Sequence, residues 1–536
     1  MQVKIYTFVE KRTTMRTILL IVLGVISLAF HAAAQHQNIM ITNNRSPEEP
    51  SIFINPQNTT EIVAGSNIDN VFHSSDGGYT WDTDVLVSPP YGVWGDPVII
   101  ADTAGDFYFF HLSNPSNGNW IDRIVCQKST DGGKTWNTGS YMGLNGTKAQ
   151  DKQWAVVDHE TNTIYVTWTQ FDQYGSSSPE HKSSIMFSKS TDGGMTWSPA
   201  KKINEVDGDC VDDDNTTEGA VPAVGPNGEV YVAWAGPEGL VFDRSTDGGE
   251  HWLDDDIIIG PFPNGWAFDI PGISRCNGLP ITLCDLSEGP NRGTIYVNWT
   301  DQRNGEDDTD VWLAKSEDGG FSWSDPIRIN DDEPGHQQFL TWMDIDQTTG
   351  ELWFVFYDRR AHSSSSNLTD VYMAYSKDGG ETITNFKISE TPFTPWSSVF
   401  FGDYNNVSAH NGVVRPIWTR LEQGALSVWT AIIDVNAVGI PQANRIPFDL
   451  ELEQNFPNPF VQTTWFKYKL RRPETISLKI YNVTHQLVAT LINHERVNAG
   501  KHTIHFDAAT YGLSPGIYYF DLETSTQVIR KKMIYR

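Results

Sequence analysis

The sequence predicts an all-β chain, a closed wheel of small four-stranded sheets followed by a compact antiparallel β-sandwich, and three observations carry that prediction. The first is an eight-residue string present in six near-copies: SSDGGYTW (74–81), STDGGKTW (129–136), STDGGMTW (190–197), STDGGEHW (245–252), SEDGGFSW (316–323) and SKDGGETI (376–383). The second is spacing. The aspartates Asp76, Asp131, Asp192, Asp247, Asp318 and Asp378 stand 55, 61, 55, 71 and 60 residues apart, a period that suits a four-stranded unit repeated radially. The third is the alternation of aromatic and β-branched residues between copies, as in IYVTW (164–168), VYVAW (230–234) and IYVNW (295–299), a strand signal when bounded by Gly and Asn turns.

Each part of the string has a mechanical use. The glycines of Asp-Gly-Gly supply positive φ, and the carboxylate accepts N–H bonds from its own turn. The closing Trp is a large apolar body suited to the wedge between neighbouring sheets. The copies resemble the Asp-box of BNR repeats in sialidase-like propellers. That resemblance implies a box on the turn between the third and fourth strand of each blade, on the face away from the active site.

First strands are expected near 50–56, 97–102, 153–158, 220–226, 279–284, 339–346 and 403–410, and further second strands at LWFVFY (352–357) and VVRPIW (413–418). The seventh unit ends at LSVWTAII (426–433) without a box or a following fourth strand. NIMIT (38–42) resembles the fourth-strand segments KKIN (201–204) and IRIN (327–330), so an N-terminal strand is expected to close the ring and cover its edge. The reading is a seven-bladed β-propeller over 35–440, with six blades, the sialidase number, as the alternative, and a linker at 441–448.

Residues 1–34 read as a secretory signal peptide: Lys11, Arg12 and Arg16 precede the apolar stretch from Ile18 to Phe30, and Ala32-Ala33-Ala34 offers a small-residue cleavage site. No stretch reaches the ~18 apolar residues of a membrane-spanning helix, so no transmembrane span is expected. Residues 449–536 form a second domain of alternating strands, TWFKYKL (464–470), ISLKIYN (476–482) and LSPGIYYFDL (513–522), closing on RKKMIYR (530–536). With QNFPNPF (454–460) and Gly500-Lys501-His502, this tail resembles the C-terminal sorting domain of type IX secretion substrates. The resemblance implies export across the inner and outer membranes, to the cell surface or the medium, with the secretion machinery as a partner.

The chain carries 38 basic against 67 acidic residues, a net of −29, whereas 449–536 holds 11 basic and 8 acidic, a net of +3. The acidity therefore belongs to the repeats, and it argues against nucleic acid and anionic lipid as partners. Four cysteines are compatible with export. Cys276 and Cys284 flank a short loop and are the expected disulfide pair, and no structural zinc is expected.

Strand order places the loops before first strands and after second strands on one face, opposite the boxes. Before first strands stand Glu48, Glu49, Asp96, Asp151 with Lys152, Glu218, His336, and Asp403 with Tyr404. After second strands come Asp301 with Arg303, Asp358 with Arg359 and Arg360, and Arg420. Guanidinium forks bind carboxylates bidentately. The sialidase resemblance therefore implies Arg303, Arg359, Arg360 and Arg420 as substrate-binding residues, with Asp151, Asp301, Asp358 and Asp403 beside them. It further implies Tyr404 as nucleophile, Glu218 as its base and Asp96 as acid. The chain departs from the family where sialidases carry Phe/Tyr-Arg-Ile-Pro: here the stretch is Glu48-Glu49-Pro50-Ser51, with Arg45 out of register. Asp207, Asp209 and Asp212, around a Gly turn, are candidate oxygen ligands for Ca²⁺, and no cofactor is otherwise expected to be required. Trp94, Trp120, Trp266 and Trp396 are candidates for stacking on sugar rings. The functional expectation is a secreted or cell-surface sialidase-like propeller acting on or binding extracellular glycans or glycoproteins, the enzyme being of exo-sialidase type. The alternative is a non-catalytic adhesion or scaffold propeller.

Overall fold

Each repeated string folds into a turn held shut by its own side chains. In the third copy Ser190 Oγ donates to Asp192 Oδ1 (2.8 Å), the Thr196 N–H donates to the same oxygen (2.9 Å) and Thr196 Oγ1 donates to Oδ2 (2.6 Å). Gly193 and Gly194 take φ of 70° and 75°, the left-handed conformation that glycine adopts without strain. The same bonds recur at Asp76, Asp131, Asp318 and Asp378. The fourth copy keeps the geometry with His251, whose Nδ1 lies 2.6 Å from Asp247 Oδ2. These bonds stabilise the ionised carboxyl. The side chain and then the N–H of Thr196 hold Asp192 down to about 2, and Ser322 does the same for Asp318.

The structure, a computed structural model, describes residues 36–433, 450–452, 454–470, 473–482, 486–524 and 528–536. The expected signal peptide (1–34) and linker (441–448) lie outside the described residues. The chain divides into two compact units between Asp434 and Val435.

Among the described residues the first unit contains seven four-stranded antiparallel sheets. Their first strands are Ser51–Ile54, Val98–Ala101, Ala149–Val157, Glu218–Val224, Ile281–Cys284, Gln338–Asp346 and Asn406–His410, which number blades 1 to 7. Each first strand touches the next, and the strand of blade 7 touches that of blade 1, so the unit is a closed propeller. Blades 1 to 6 use four consecutive strands. Blade 7 takes its fourth from the N-terminal side: Gln37–Thr42 pairs with Ala425–Ile432, from Gln37↔Ile432 to Thr42↔Val428.

Blades adhere in two ways. The Trp of a repeated string packs edge-on against an aromatic ring of the preceding blade, Trp197 on Phe110 (5.8 Å), Trp252 on Phe187 (5.0 Å) and Trp323 on Phe242 (5.1 Å). A cation of the preceding blade also donates to the carbonyl of the first glycine of the turn. Lys189 Nζ reaches Gly248 O (2.8 Å), Arg244 Nη1 reaches Gly319 O (2.5 Å), and Arg415 Nε joins blade 7 to blade 1 at Gly77 O (2.7 Å). Because first and third strands of an antiparallel sheet run the same way, these turns share a rim with the ends of first strands. The starts of first strands face the opposite rim.

One expectation is corrected. All four cysteines are free and buried, so Cys276 and Cys284 form no bridge. Cys284 is packed between blades 4 and 5 with Phe242 and Val297, while Cys276 belongs to a two-stranded insertion, Ala267–Phe268 paired with Cys276–Asn277, ahead of blade 5. That insertion accounts for the longest of the repeat spacings.

The second unit is a sandwich of a three-stranded sheet, with Thr463–Leu470 at its centre, and a four-stranded sheet built on Glu474–Asn482 and Gly516–Glu523. Phe466, Leu478, Ile480, Phe506, Phe520 and Met533 fill the space between. The asparagines and the second phenylalanine of NFPNPF (455–460) tie the start of the unit to its other strands. Asn455 Nδ2 donates to Thr464 Oγ1 (3.0 Å), Asn458 Oδ1 accepts from the Ile534 N–H (2.9 Å), and Phe460 stacks on Tyr535 (5.1 Å).

Candidate functional site

The first strands begin with a repeated kink. Pairing skips between Asp151 and Trp154, between Glu218 and Val221, and between Phe339 and Trp342. At these steps Lys152, Gly219 and Leu340 take φ of 48°, 77° and 49°. Glu49 and Asp96, each at 51°, repeat the conformation two residues ahead of Ser51 and Val98. Only Gly219 adopts it freely, and a Cβ there would come within 2.7 Å of Leu279. The other four residues each carry a backbone cost of about 1–2 kcal/mol. Such strain, repeated around one rim, marks a site whose surroundings enforce it.

The kinks gather a buried ion network. Lys152 Nζ lies 2.6 Å from Asp403 Oδ2 and 3.7 Å from Asp96 Oδ2. Arg275, from the insertion, forks onto Asp403, its Nε donating to Oδ1 at 2.9 Å, and its Nη1 donates to Asp212 Oδ2 at 3.2 Å. Glu49 Oε1 accepts from the Asp403 N–H at 3.0 Å. Burial opposes the charge on Asp403, yet Lys152 and Arg275 hold its carboxyl well below the usual range. Burial likewise opposes the charge on Lys152, but Asp403, Asp96 and Glu49 keep it protonated. For four neighbouring acids Lys152 offsets burial only in part. Burial pushes Glu48 and Asp151 up to about 8, and drives Glu49 and Glu218 well above the carboxylate range, with Asp96 adding to the first and Asp212 to the second. Burial thus favours the protonated form of all four.

Beside the network opens a small cavity lined by Asp96, Lys152, Asp403, Trp154, Trp342 and Tyr404, among others. Trp154 and Trp342 pack with centroids 4.2 Å apart, and Tyr404 meets Trp154 edge-on at 5.8 Å. The Tyr404 hydroxyl and both Glu218 oxygens are buried and bonded to no donor or acceptor. The two indoles also border an apolar chamber lined by Val221 and Ile281, so they divide the channel. A second, larger cavity shares Lys152, Asn277, Leu279 and Asp403 with the first and adds Asp212, Glu218, Arg275 and Trp266. The site thus offers an aromatic surface, an unpartnered Tyr404 hydroxyl, the buried Glu218 carboxyl, and two cations already committed to Asp403.

The structure gathers part of the expected site. Asp96, Tyr404 and Asp403 line the first cavity, Glu218 lines the second, and Asp151 feels Lys152, Asp96 and Asp212. The carboxyls acting on Tyr404 are Asp96, Glu49 and Glu48, whereas Glu218 lies against Asp212 and Asp151. The arginines are a correction: they do not assemble into one cluster. Arg303 is clamped by Asp301 (2.6 Å) and Arg360 by Asp358 (2.7 Å). Arg359 donates to Thr369 Oγ1, Gln337 Oε1 and Pro271 O, and Arg420 to Thr391 O, Thr391 Oγ1 and Pro392 O. Each guanidinium is engaged by its own surroundings, though the Arg420 Nε is buried without a partner, and Asp301 and Asp358 hold these arginines while also accepting from Trp299 Nε1 and Gln338 Nε2.

The candidate calcium ligands also have partners of their own. Asp207 binds Lys202 (2.6 Å) and Ser184, Asp209 accepts from the Val211 N–H and Thr216 Oγ1, and Asp212 accepts from Tyr174 and Arg275. Three aspartates with three separate sets of partners make no common ligand set, and among the described residues no group of three or more His, Cys, Asp or Glu has the arrangement to hold a metal. Sequence reasoning missed Arg275, Trp154 and Trp342. The 71-residue spacing signalled an insertion, and aligning QWAVVD (153–158) with TWMDID (341–346) sets the two tryptophans at one position of the repeat.

Residues 454–536 match the family model of the secretion system C-terminal sorting domain. The chain is thereby marked for export to the cell surface or for secretion, and no helix among the described residues is long and apolar enough to cross a membrane. No curated protein matches the chain. Among solved structures it is similar to the Hadza microbial sialidase Hz136, at 16% identity over 69% of this chain and 73% of that one, with a TM-score of 0.41. It is also similar to the NanB sialidase from Streptococcus pneumoniae, at 10% identity over 76% and 96% with a TM-score of 0.43. A third is the alpha-L-arabinanase of Penicillium chrysogenum, at 15% identity over 60% and 93% with a TM-score of 0.38.

Proposed function

We propose that this exported propeller binds neutral extracellular glycans at the mouth formed by the starts of its first strands. The observation that carries the reading is the pairing of an aromatic surface with a buried polar group that has no partner. Trp154, Trp342 and Tyr404 offer ring faces and edges to the apolar side of a sugar, and the Tyr404 hydroxyl, in the lining of the first cavity, is bonded to no donor or acceptor. An anionic sugar is disfavoured. Its carboxylate calls for an uncommitted guanidinium, and the cations here, Lys152 and Arg275, are both held by Asp403. Tyrosine-nucleophile chemistry is disfavoured too, because burial keeps the Tyr404 phenol protonated and Glu218 is not among the carboxyls acting on it.

The test uses the exported chain in two assays run side by side, binding to an array of neutral and acidic glycans and turnover of a fluorogenic sialoside with a panel of neutral fluorogenic glycosides. Binding to neutral glycans without turnover is the expected result. Binding confined to sialylated glycans, turnover of the sialoside, or silence on every glycan overturns the reading.

A further inference from the structure

Beside the mouth lies a second aromatic group that the cavity does not use. Trp94 and Trp120 are 39% and 44% exposed and meet edge-to-face with centroids 6.1 Å apart. Trp120 packs in turn against Tyr174 at 5.4 Å. Indoles left this open in a monomeric surface are unusual unless they meet a partner. Their loop is polar: SNPSNGNW (113–120) exposes Asn114, Asn117 and Asn119 beside Trp120. The loop is also held in shape, because Asp122 accepts from Ser113 Oγ (3.0 Å) and from the Asn119 N–H (3.1 Å).

This group is continuous with the mouth along two routes. Trp94 stands two residues from Asp96, which lines the first cavity. Tyr174 donates its hydroxyl to Asp212 Oδ2 (2.6 Å), and Asp212 is bonded to Arg275, which forks onto Asp403. Ring faces flanked by amide donors and acceptors are the pairing that a sugar ring satisfies, with apolar C–H faces on indole and hydroxyls on amides. A protein partner calls for a broader apolar centre than two rings give.

We infer that Trp94, Trp120 and the asparagines of their loop form an outer subsite, so that the ligand is an oligosaccharide of several neutral rings running from the mouth across blade 2, not a single terminal sugar. The inference rests on the neutral-glycan reading above. Two separated sugar-binding surfaces on one rigid frame make affinity depend on chain length, since only a chain that spans both engages both.

The test is calorimetric titration of the full chain with ladders of one to six rings from arabino-, xylo-, manno- and gluco-oligosaccharides. In at least one ladder affinity is expected to rise about tenfold or more once the chain is long enough to span both surfaces. Trp120→Ala and Trp94→Ala should flatten that rise, and Trp120→Phe should restore part of it by returning a ring face. Tyr404→Phe should weaken binding at every length. Thermal melts of the indole variants, which alter exposed side chains, control for folding. Binding of single rings as tight as that of long chains, or an equal loss at all lengths in Trp120→Ala, overturns the outer subsite while leaving the mouth intact. Absence of binding in every ladder overturns both. Binding of proline-rich or aromatic peptides to the wild type, abolished in Trp120→Ala, would assign the indoles to a protein partner and overturn the inference.

Discussion

At the residue scale the molecule turns on Asp403, which accepts from two cations while almost wholly buried. Its partners were drawn from blade 3 and from the insertion ahead of blade 5, so the carboxylate couples distant parts of the ring. Truncating one member of a buried charged group strands the others. Asp403→Ala is expected to cost about 3–5 kcal/mol in urea unfolding, and Lys152→Ala a similar amount. The buried acids predict a pH effect of definite sign. Burial raises Glu48 and Asp151 to about 8 from unfolded values near 4, so the folded state binds more protons between those values and the stability they leave to the propeller should fall as pH rises from about 4 to 8, read by thermal melts across that range. The repeated turns act at the other end of the scale. Asp192 and Asp318 are depressed to about 2 from unfolded values near 4. The stability they contribute is therefore present above about pH 4 and lost as pH falls toward 2. Replacing Asp192 with Asn should remove its share of that acid-side slope in melts from pH 5 to 2.

At the scale of elements, the same turn does two jobs: it ends a third strand and presents a carbonyl to the neighbouring blade. Arg415→Met keeps much of the stem's packing but removes the donors to Gly77 O and Val414 O. A hydrogen bond from a charged group contributes about 1.5–3 kcal/mol, and a loss of that order is expected in chemical denaturation. The turns were legible in the sequence because Asp-Gly-Gly has few other uses, and the N-terminal strand was legible because NIMIT shares the pattern of its counterparts. The site was legible only in part. Residues ahead of first strands could be gathered by strand order, which brought in Asp96, Asp403 and Tyr404. The arginines could not be placed that way: Asp301 and Asp358, two positions ahead, take Arg303 and Arg360, while Arg359 and Arg420 go to carbonyl, amide and hydroxyl oxygens. The left-handed kinks at Glu49, Asp96, Lys152 and Leu340 leave no mark in composition, since none of the four is glycine.

At the scale of the whole molecule, an exported chain of 536 residues with four cysteines holds its propeller together without a disulfide among the described residues. Burial pushes the Cys284 thiol up to about 12, which suppresses the reactive thiolate. The native protein should therefore resist alkylation, while the unfolded protein should take up four labels without prior reduction, as read by intact mass. Stability rests instead on the pairing of Gln37–Thr42 with Ala425–Ile432. Deleting 37–42 should leave an unpaired strand edge, and the product is expected in aggregates by light scattering.

That pairing also sets an order of events. Gln37 meets Ile432, so the clasp joins the earliest-made portion of the wheel to the last, and a nascent or threading chain lacks the latch until nearly all of the repeats have emerged. A polypeptide halted after the sixth blade would remain prey to proteases, a built-in check that only full-length wheels survive.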